Sequence, residues 1–494
     1  MKRLATALAD AFEQRPEAFF VAVLAVQVAL WTLVPAFTYR NAPIDVMENI
    51  GWGREWQLGY ASHPPLQAWL TMAAVTLGGG AIWPAYVLSQ VAIALTFVPL
   101  YLLGREAGGA KVALFAVVIY SLVFYANLPT PEFNANVVQM PIWAFAALAL
   151  WRAIDSGRLL WWVALGVIAA LAVYAKYSAV ILFGALILAS LAVPSGRRAY
   201  RTIGPYVSVA LALVLIAPHL RWLWSVDFLP VTFAEGRAGR PEGIQRLIRP
   251  FGFLGAQLLD HLLPALLLLA SGIRFRQIGA PNTPARDLWR FILVMAFAPY
   301  ALSLIFSVAT GYGLRDPWGA PMPAWISLVA ALVLLPVIAR LPALLLTWGL
   351  LFVLMPIGLG VVTIVSPHFP SPLWQVWPGP AMASQLTDIW RAHTGNAPLR
   401  IVAGDKWAIG IVTVYAPEHP HVLTDARYVL SPWVTPADVA RDGALLVWQR
   451  GSPDVLAPEY AAFGPFSATG ALRIPFAGPG SDTADIGWAI KPPG

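Results

Sequence analysis

The chain has 494 residues, 59% hydrophobic and only 12% charged, with a mean hydropathy of +0.67. Soluble domains carry roughly 25% charged residues, so this composition excludes an ordinary soluble protein and indicates a membrane protein. The net charge of +7 suits cytoplasmic loops meeting anionic headgroups, with no nucleic-acid partner expected, and the lack of cysteine excludes disulfides and thiolate metal sites.

In chain order, the segment "MKRLATALADAFEQRPEAFF" leads into an apolar run from Phe19 to Phe37. That run exceeds the apolar core of a signal peptide, so it is expected to stay as the first span. Further apolar runs lie near 82–104, 110–128, 137–154, 159–175, 178–194, 203–224, 254–272, 290–309, 321–339 and 342–365. Together they predict a polytopic α-helical membrane protein with about eleven transmembrane helices, each near the ~20 residues that cross a ~30 Å core. The segment 65–80 is apolar but short, ends in "GGG", and is expected to lie on the surface. With that assignment Lys2, Arg3, Arg105, Lys111, Arg152, Arg158, Arg197, Arg198, Arg201, Arg274, Arg276 and Arg340 share one side, the cytoplasm. Residues 1–365 then form the membrane module, with outer loops 38–81, 129–136 and 225–252. The last of these breaks the charge rule with Arg237, Arg240, Arg246 and Arg249. Residues 366–494 change character: "PLRIVAGDKWAIGIVTVYAPEHPHVLTD" and "GALLVWQR" alternate short β-rich runs with a helix-like stretch. They predict a small C-terminal α/β domain outside the cytoplasm. No internal repeat is visible, which counts against a secondary transporter.

Ionisable side chains at the membrane boundary are costly unless used or paired. Four groups stand out, all expected on the outer side. In "NAPIDVMENIGWGREWQLGYASHPP" Asp45 and Glu48 are three apart and share a helix face, as a base or cation ligand or as the polar face of a surface helix. In "NLPTPEFNANVVQMPIW" Glu132 precedes Asn134 and Asn136, where helix capping alone accounts for the asparagines. Lys176 in "YAKYSAV" sits between two spans, either snorkelling or awaiting a phosphate. His219 in "APHLRWLW" and Arg315–Asp316 in "GLRDPWGAPMPAW" adjoin tryptophans, which serve equally as interfacial anchors or a sugar platform. No Walker loop, GxGxxG or HExxH is present, so a nucleotide-driven pump or a zincin is not expected.

The order of these features resembles the GT-C polyprenyl-phosphate-sugar transferases of the family 39/83 group. That group includes protein O-mannosyltransferases and bacterial lipid A aminoarabinose transferases. The resemblance covers most of the first 340 residues. It runs through Asp45 in the first outer loop, the element Tyr60, His63, Pro64, Pro65, then "FNANVVQMPIW", "AKYSAV", "APHLRW" and "RDPWGAPMPAW". His63 stands where the aminoarabinose transferases often carry lysine, and Asn136 where an acid often starts the second-loop helix. The resemblance implies a GT-C fold and an inverting glycosyltransferase in the bacterial inner membrane. Its donor would be a polyprenyl-phosphate sugar and its acceptor an envelope lipid, glycan or protein, for example in lipopolysaccharide. It implies Asp45, Glu48 and Glu132 as catalytic carboxylates. Tyr60, His63, Asn136, Lys176, His219, Arg315 and Asp316 would bind substrate. A divalent cation (Mg, Mn or Zn) would join through Asp45 and Glu48, or zinc through His63 and His219. The competing readings are a transporter or flippase for a lipid-linked substrate and a non-catalytic lipid-binding relative.

Overall fold

A computed structural model describes residues 1–239, 241–278, 286–477 and 481–494. The first half comprises α1 (Lys2–Gln14), α2 (Pro16–Thr38), α3 (Ile44–Glu55), α4 (Leu66–Leu77), α5 (Trp83–Gly108), α6 (Ala110–Tyr120), α7 (Ala135–Ser156), α8 (Leu159–Ala175), α9 (Ala179–Ala192) and α10 (Pro194–Ala199). There follow α11 (Gly204–Ser225), α12 (Leu229–Ala238), α13 (Gln245–Asp260), α14 (Leu262–Ala270), α15 (Arg286–Thr310), α16 (Pro323–Leu334) and α17 (Leu341–Val365). The C-terminal domain adds α18 (Gly379–His393), β1 (Ile401–Gly404), α19 (Lys406–Tyr415), β2 (His421–Thr424), α20 (Pro436–Asp442), β3 (Ala444–Trp448), β4 (Ala468–Pro475) and β5 (Thr483–Lys491).

Among the described residues, six helices are long and apolar enough to cross a membrane: α2, α5, α7, α11, α15 and α17 with the turn that follows it. The pair α13–α14, bent by 50° at His261, makes a seventh if counted as one span. Four of the expected spans fall on α6, α8, α9 and α16, which are apolar but shorter. The run 110–128 breaks because α6 ends at Tyr120 and the chain turns through a short 3-10 segment at Phe124–Ala126. The 225–252 stretch is not a loop. It folds into α12 and the amphipathic α13, whose Leu247, Ile248 and Phe251 stay exposed, as suits a helix lying along a membrane surface. Arg246 on α13 donates to the Val308 and Ala309 carbonyls at 3.1 and 3.0 Å, while Arg240 lies outside the described residues.

The bundle has two chemically distinct ends. At one, Lys111 pairs with Glu13 at 2.6 Å, Arg152 with Glu106 at 3.1 Å and Arg105 with Glu17 at 3.9 Å. These are residues that the charge count places in the cytoplasm. At the other end lie α3, α4 and the C-terminal domain. That domain is a five-stranded sheet in the order β2-β1-β3-β5-β4. β1 runs parallel to β2 and β3, and β5 antiparallel to β3 and β4, with Val402 opposite both Val422 and Leu445. Alternation along β1 sends Ile401 and Ala403 to one core with Leu446 and Trp448, and Val402 to the other. The second core is continuous with the helix bundle through Ala408, Ile411 and Met47. The domain is therefore packed onto the membrane module rather than tethered to it.

Candidate active site

The site begins with α3. Its first turn carries Asp45, where a carboxylate favours the positive end of the helix dipole. Glu48 lies one turn on. Lys406, the first residue of α19, donates from its ammonium to Asp45 Oδ1 and Glu48 Oε2, both at 2.8 Å. The second Asp45 oxygen accepts from Asn134 Nδ2 at 3.0 Å, and the Asp45 backbone N–H donates to Glu132 Oε1 at 2.9 Å. Asn49 on the same helix donates to the Phe133 carbonyl at 3.0 Å. Thus the first outer loop, the second outer loop and the C-terminal domain meet on Asp45. The Asp45 side chain remains 32% exposed and Glu48 13%, so the first is the carboxylate a substrate can reach.

Asn134 performs two tasks. Its Oδ1 caps α7 by accepting from the Asn136 and Val137 N–H groups at 2.9 and 3.2 Å, while its amide nitrogen holds Asp45. The capping expected from sequence is therefore real and also fixes the carboxylate. Lys176, the residue after α8, donates to Asn136 Oδ1. Asn136 thus serves the lysine side of the site and Glu132 the carboxylate side. Arg237 and Arg315 lie within electrostatic reach of Lys176. His63 lies within electrostatic reach of Asp45, Lys176, Lys406 and Arg237.

Charge follows this layout. Burial works to raise Asp45, but the Lys406 ammonium and the Asn134 amide prevail and hold it below the usual carboxylate range. Burial pushes Glu48 up to about 7, with Asp45 adding to the rise and Lys406 opposing it. Glu132 is also raised, by burial and then by the Asp45 charge. Lys176 is pushed down to about 7 by burial, with Arg237 and Arg315 adding and Asp45 opposing. Burial and the cations Lys176, Lys406 and Arg237 hold His63 well below its ordinary range, so the free protein keeps this imidazole neutral at physiological pH.

Three residues predicted to bind substrate are engaged elsewhere. Tyr60 is 1% exposed, stacks on Trp52 with ring centroids 4.8 Å apart and donates its hydroxyl to the Trp52 carbonyl at 2.7 Å. It shapes the turn closed by Tyr60 N–H donating to the His63 carbonyl at 2.9 Å. His219 is fully buried. Its Nδ1 meets the Leu58 carbonyl at 2.7 Å and its Nε2 the Tyr177 hydroxyl at 3.3 Å, so it clamps the outer loop onto α11. Asp316 accepts from Gln257 Nε2 of α13 at 2.7 Å. Arg315 remains exposed beside the lysine side.

A cation between Asp45 and Glu48 would have to displace the Lys406 ammonium. One ammonium already bonds an oxygen of both Asp45 and Glu48, and Asn134 takes the other Asp45 oxygen. No group of three or more His, Asp or Glu is arranged to hold a metal among the described residues. Zinc between His63 and His219 would have to replace the Leu58 or the Tyr177 contact of His219. A separate concavity of about 490 Å³ on the C-terminal domain, lined by Asp425, Arg427, Tyr428, Arg450, Tyr460 and Phe463, shares none of these residues.

Lys406 was missed from sequence. The "AGDKW" junction carries the signal: a strand, an aspartate that caps the next helix, and a lysine at its first position.

Comparison with solved structures agrees with the fold. ArnT of Cupriavidus metallidurans, solved bound to undecaprenyl phosphate, superposes with a TM-score of 0.62 over 96% of this chain and 98% of its own, at 13% identity. Its apo form gives 0.63 at 14% identity over the same shares. The chain has the GT-C fold. Its residues 62–222 match the family described as dolichyl-phosphate-mannose-protein mannosyltransferase. The lipid A galacturonosyltransferase RgtD of Rhizobium johnstonii is 25% identical over 230 residues, which are 46% of this chain. The match spans about half the length of that relative, 48%.

Proposed function

We propose that this chain is an inverting glycosyltransferase of the bacterial inner membrane. It moves a sugar from a polyprenyl-phosphate donor to an envelope acceptor on the outer face, with about eleven spans and a periplasmic C-terminal domain. The observation that carries the proposal is the division of the site. An ionised, partly exposed Asp45 stands on one side and the cations Lys176, Arg237 and Arg315 on the other. The GT-C fold, the lipid A transferase among its relatives and the lipid phosphate bound to ArnT support the same reading.

In this mechanism an acceptor hydroxyl approaches the anomeric carbon from the Asp45 side. Asp45 orients the hydroxyl and takes its proton as the new C–O bond forms. The bond from the anomeric carbon to the phosphate oxygen breaks, and its electron pair leaves with the lipid phosphate. Lys176, with Arg237 and Arg315, stabilises the charge that grows there. Attack opposite the leaving group inverts the anomeric centre. Glu132 and Asn134 hold Asp45 in place, and His63 separates the two charge fields. No nucleotide is required, consistent with the missing phosphate loops.

The test is to incubate the purified protein in nanodiscs with labelled polyprenyl-phosphate sugars and lipid or glycan acceptors. Labelled acceptor with inverted anomeric configuration is the expected product. Movement of the lipid-linked sugar across proteoliposomes with no transfer to any acceptor would replace this reading with a flippase.

A further inference from the structure

The carboxylate side of the site is completed by a residue 361 positions away in sequence. We propose that Lys406 is a positioning residue for transfer, by which the C-terminal domain fixes and charge-balances the Asp45–Glu48 pair. This deepens the transferase reading above and rests on it.

Geometry is the first argument. One ammonium reaches carboxylates one helical turn apart at 2.8 Å each, so it restrains α3 as well as either side chain. Its own backbone is fixed from beneath. Asp405, 2% exposed, accepts from the Trp407 and Ala408 N–H groups at 3.0 and 3.1 Å to cap α19. The other Asp405 oxygen accepts from the Gln449 N–H at 2.5 Å, tying the start of α19 to the end of β3. α19 also touches the membrane module at its far end, where the Tyr415 hydroxyl accepts from the Ala42 N–H at 2.7 Å. Between these points Gly410 lets α19 approach α3: a Cβ there would stand 3.1 Å from Met47 Cβ.

Charge is the second argument. Asp45, Glu48 and Glu132 crowd one side of the site, and like charges in an enclosed place repel strongly. His63 is neutral, and Lys176 is bonded to Asn136 on the opposite side with Arg237 and Arg315 near it. Lys406 is the cation bonded to the carboxylates among the described residues. Its task is therefore separable from phosphate binding. Loss of Lys406 should reduce turnover and spare the affinity for lipid phosphate.

The experiment uses purified full-length protein in nanodiscs: wild type, Lys406→Met, Lys406→Arg and Lys406→Met with Glu48→Gln. Arg391→Met, which removes an ion pair with Glu418 in the same domain, is the folding control. Each variant is measured for transfer kinetics and for binding of undecaprenyl phosphate alone. Lys406→Met is expected to lower kcat about 100-fold, with donor KM and undecaprenyl phosphate Kd within about twofold of wild type. Lys406→Arg should recover roughly tenfold of that loss, because it returns a cation in a different shape. Adding Glu48→Gln to Lys406→Met should also recover part of it by removing one unbalanced carboxylate, and Arg391→Met should stay within about twofold of wild type. A Lys406→Met enzyme with wild-type kcat would overturn the proposal. So would a tenfold weaker Kd for undecaprenyl phosphate, since that would put Lys406 on the donor. A wild type that transfers no sugar refutes the transferase reading itself. The binding measurement needs no turnover, so the two failures are told apart.

Discussion

Asn134 is the clearest case of one side chain serving fold and chemistry together. Replacing it with alanine removes the α7 cap and the Asp45 contact at once, and the cap alone should cost ~1 kcal/mol of stability. Serine can still cap but has no amide to reach Asp45. Thermal unfolding should therefore separate Asn134→Ala from Asn134→Ser, while transfer assays should show both depressed. If Asn134→Ser transfers at the wild-type rate, the amide contact to Asp45 carries no function. Lys176 gives a pH prediction. Its pKa is pushed down to about 7, so in the free protein the ammonium is present below that pH and lost above it. An anionic phosphate favours the charged form and raises its pKa on binding. Undecaprenyl phosphate affinity should thus fall as pH rises from about 7 toward 9, by at most about tenfold per unit. Glu48, raised to about 7, ionises in the same window and adds a smaller slope of the same sign. Lys176→Met should bind more weakly and lose most of the dependence. A wild-type Kd that is flat over that range would contradict the assignment of Lys176 to the phosphate. His63 should contribute nothing there, because burial, with the nearby cations, keeps it neutral.

At the level of elements, α3 works as a wedge between α4 and α19, and its small residues permit that. A Cβ on Gly53 would stand 2.5 Å from Met72 Cβ and 2.7 Å from the Ala68 carbonyl oxygen of α4. Gly53→Ala should therefore cost ~1–3 kcal/mol by overpacking, seen as a lower unfolding midpoint. Because the same helix carries Asp45 and Glu48, transfer should fall with it. An unchanged midpoint would mean that α3 and α4 do not pack this closely. The Asp45–Glu48 pairing was legible in sequence because i and i+3 side chains share a helix face. The diproline likewise marks a real boundary: Pro65 is the residue before α4, a 12-residue helix of ~18 Å that is too short to cross a ~30 Å core. Tyr60 and His219 misled for a physical reason. Aromatic and imidazole groups near a membrane surface bind ligands and also pack loops, and sequence does not show which neighbours satisfy them.

For the whole molecule, hydropathy located the apolar helices and most of their ends. The runs 159–175 and 178–194 coincide with α8 and α9 within two residues, while 110–128 and 321–339 overran α6 and α16 because the chain after Tyr120 and Leu334 stays apolar as it turns. The first half of α13 escaped because its arginines suggested a loop, while Ile244, Leu247, Ile248 and Phe251 follow a helical period; its second half falls in the expected run 254–272. The C-terminal α/β domain was visible as a change of composition. Its contribution to the site was not, because Lys406 meets Asp45 only after both domains fold and dock. That docking is extensive. Arg40 donates to the Phe476 carbonyl at 3.1 Å, His421 meets Glu55 at 2.8 Å, and one core runs through both parts. On the proposed mechanism the membrane bundle supplies the base and the cations, and the C-terminal domain secures the base.

The central claim is that Asp45 is the carboxylate that works on the acceptor. The most direct measurement is single-turnover transfer of labelled sugar from its polyprenyl-phosphate donor by wild type and Asp45→Asn in nanodiscs, both at saturating donor. Asparagine fills the same space and can still bond Asn134, but it takes no proton. A loss of about 100-fold or more with unchanged undecaprenyl phosphate binding is the predicted result. Transfer by Asp45→Asn at the wild-type rate would contradict it.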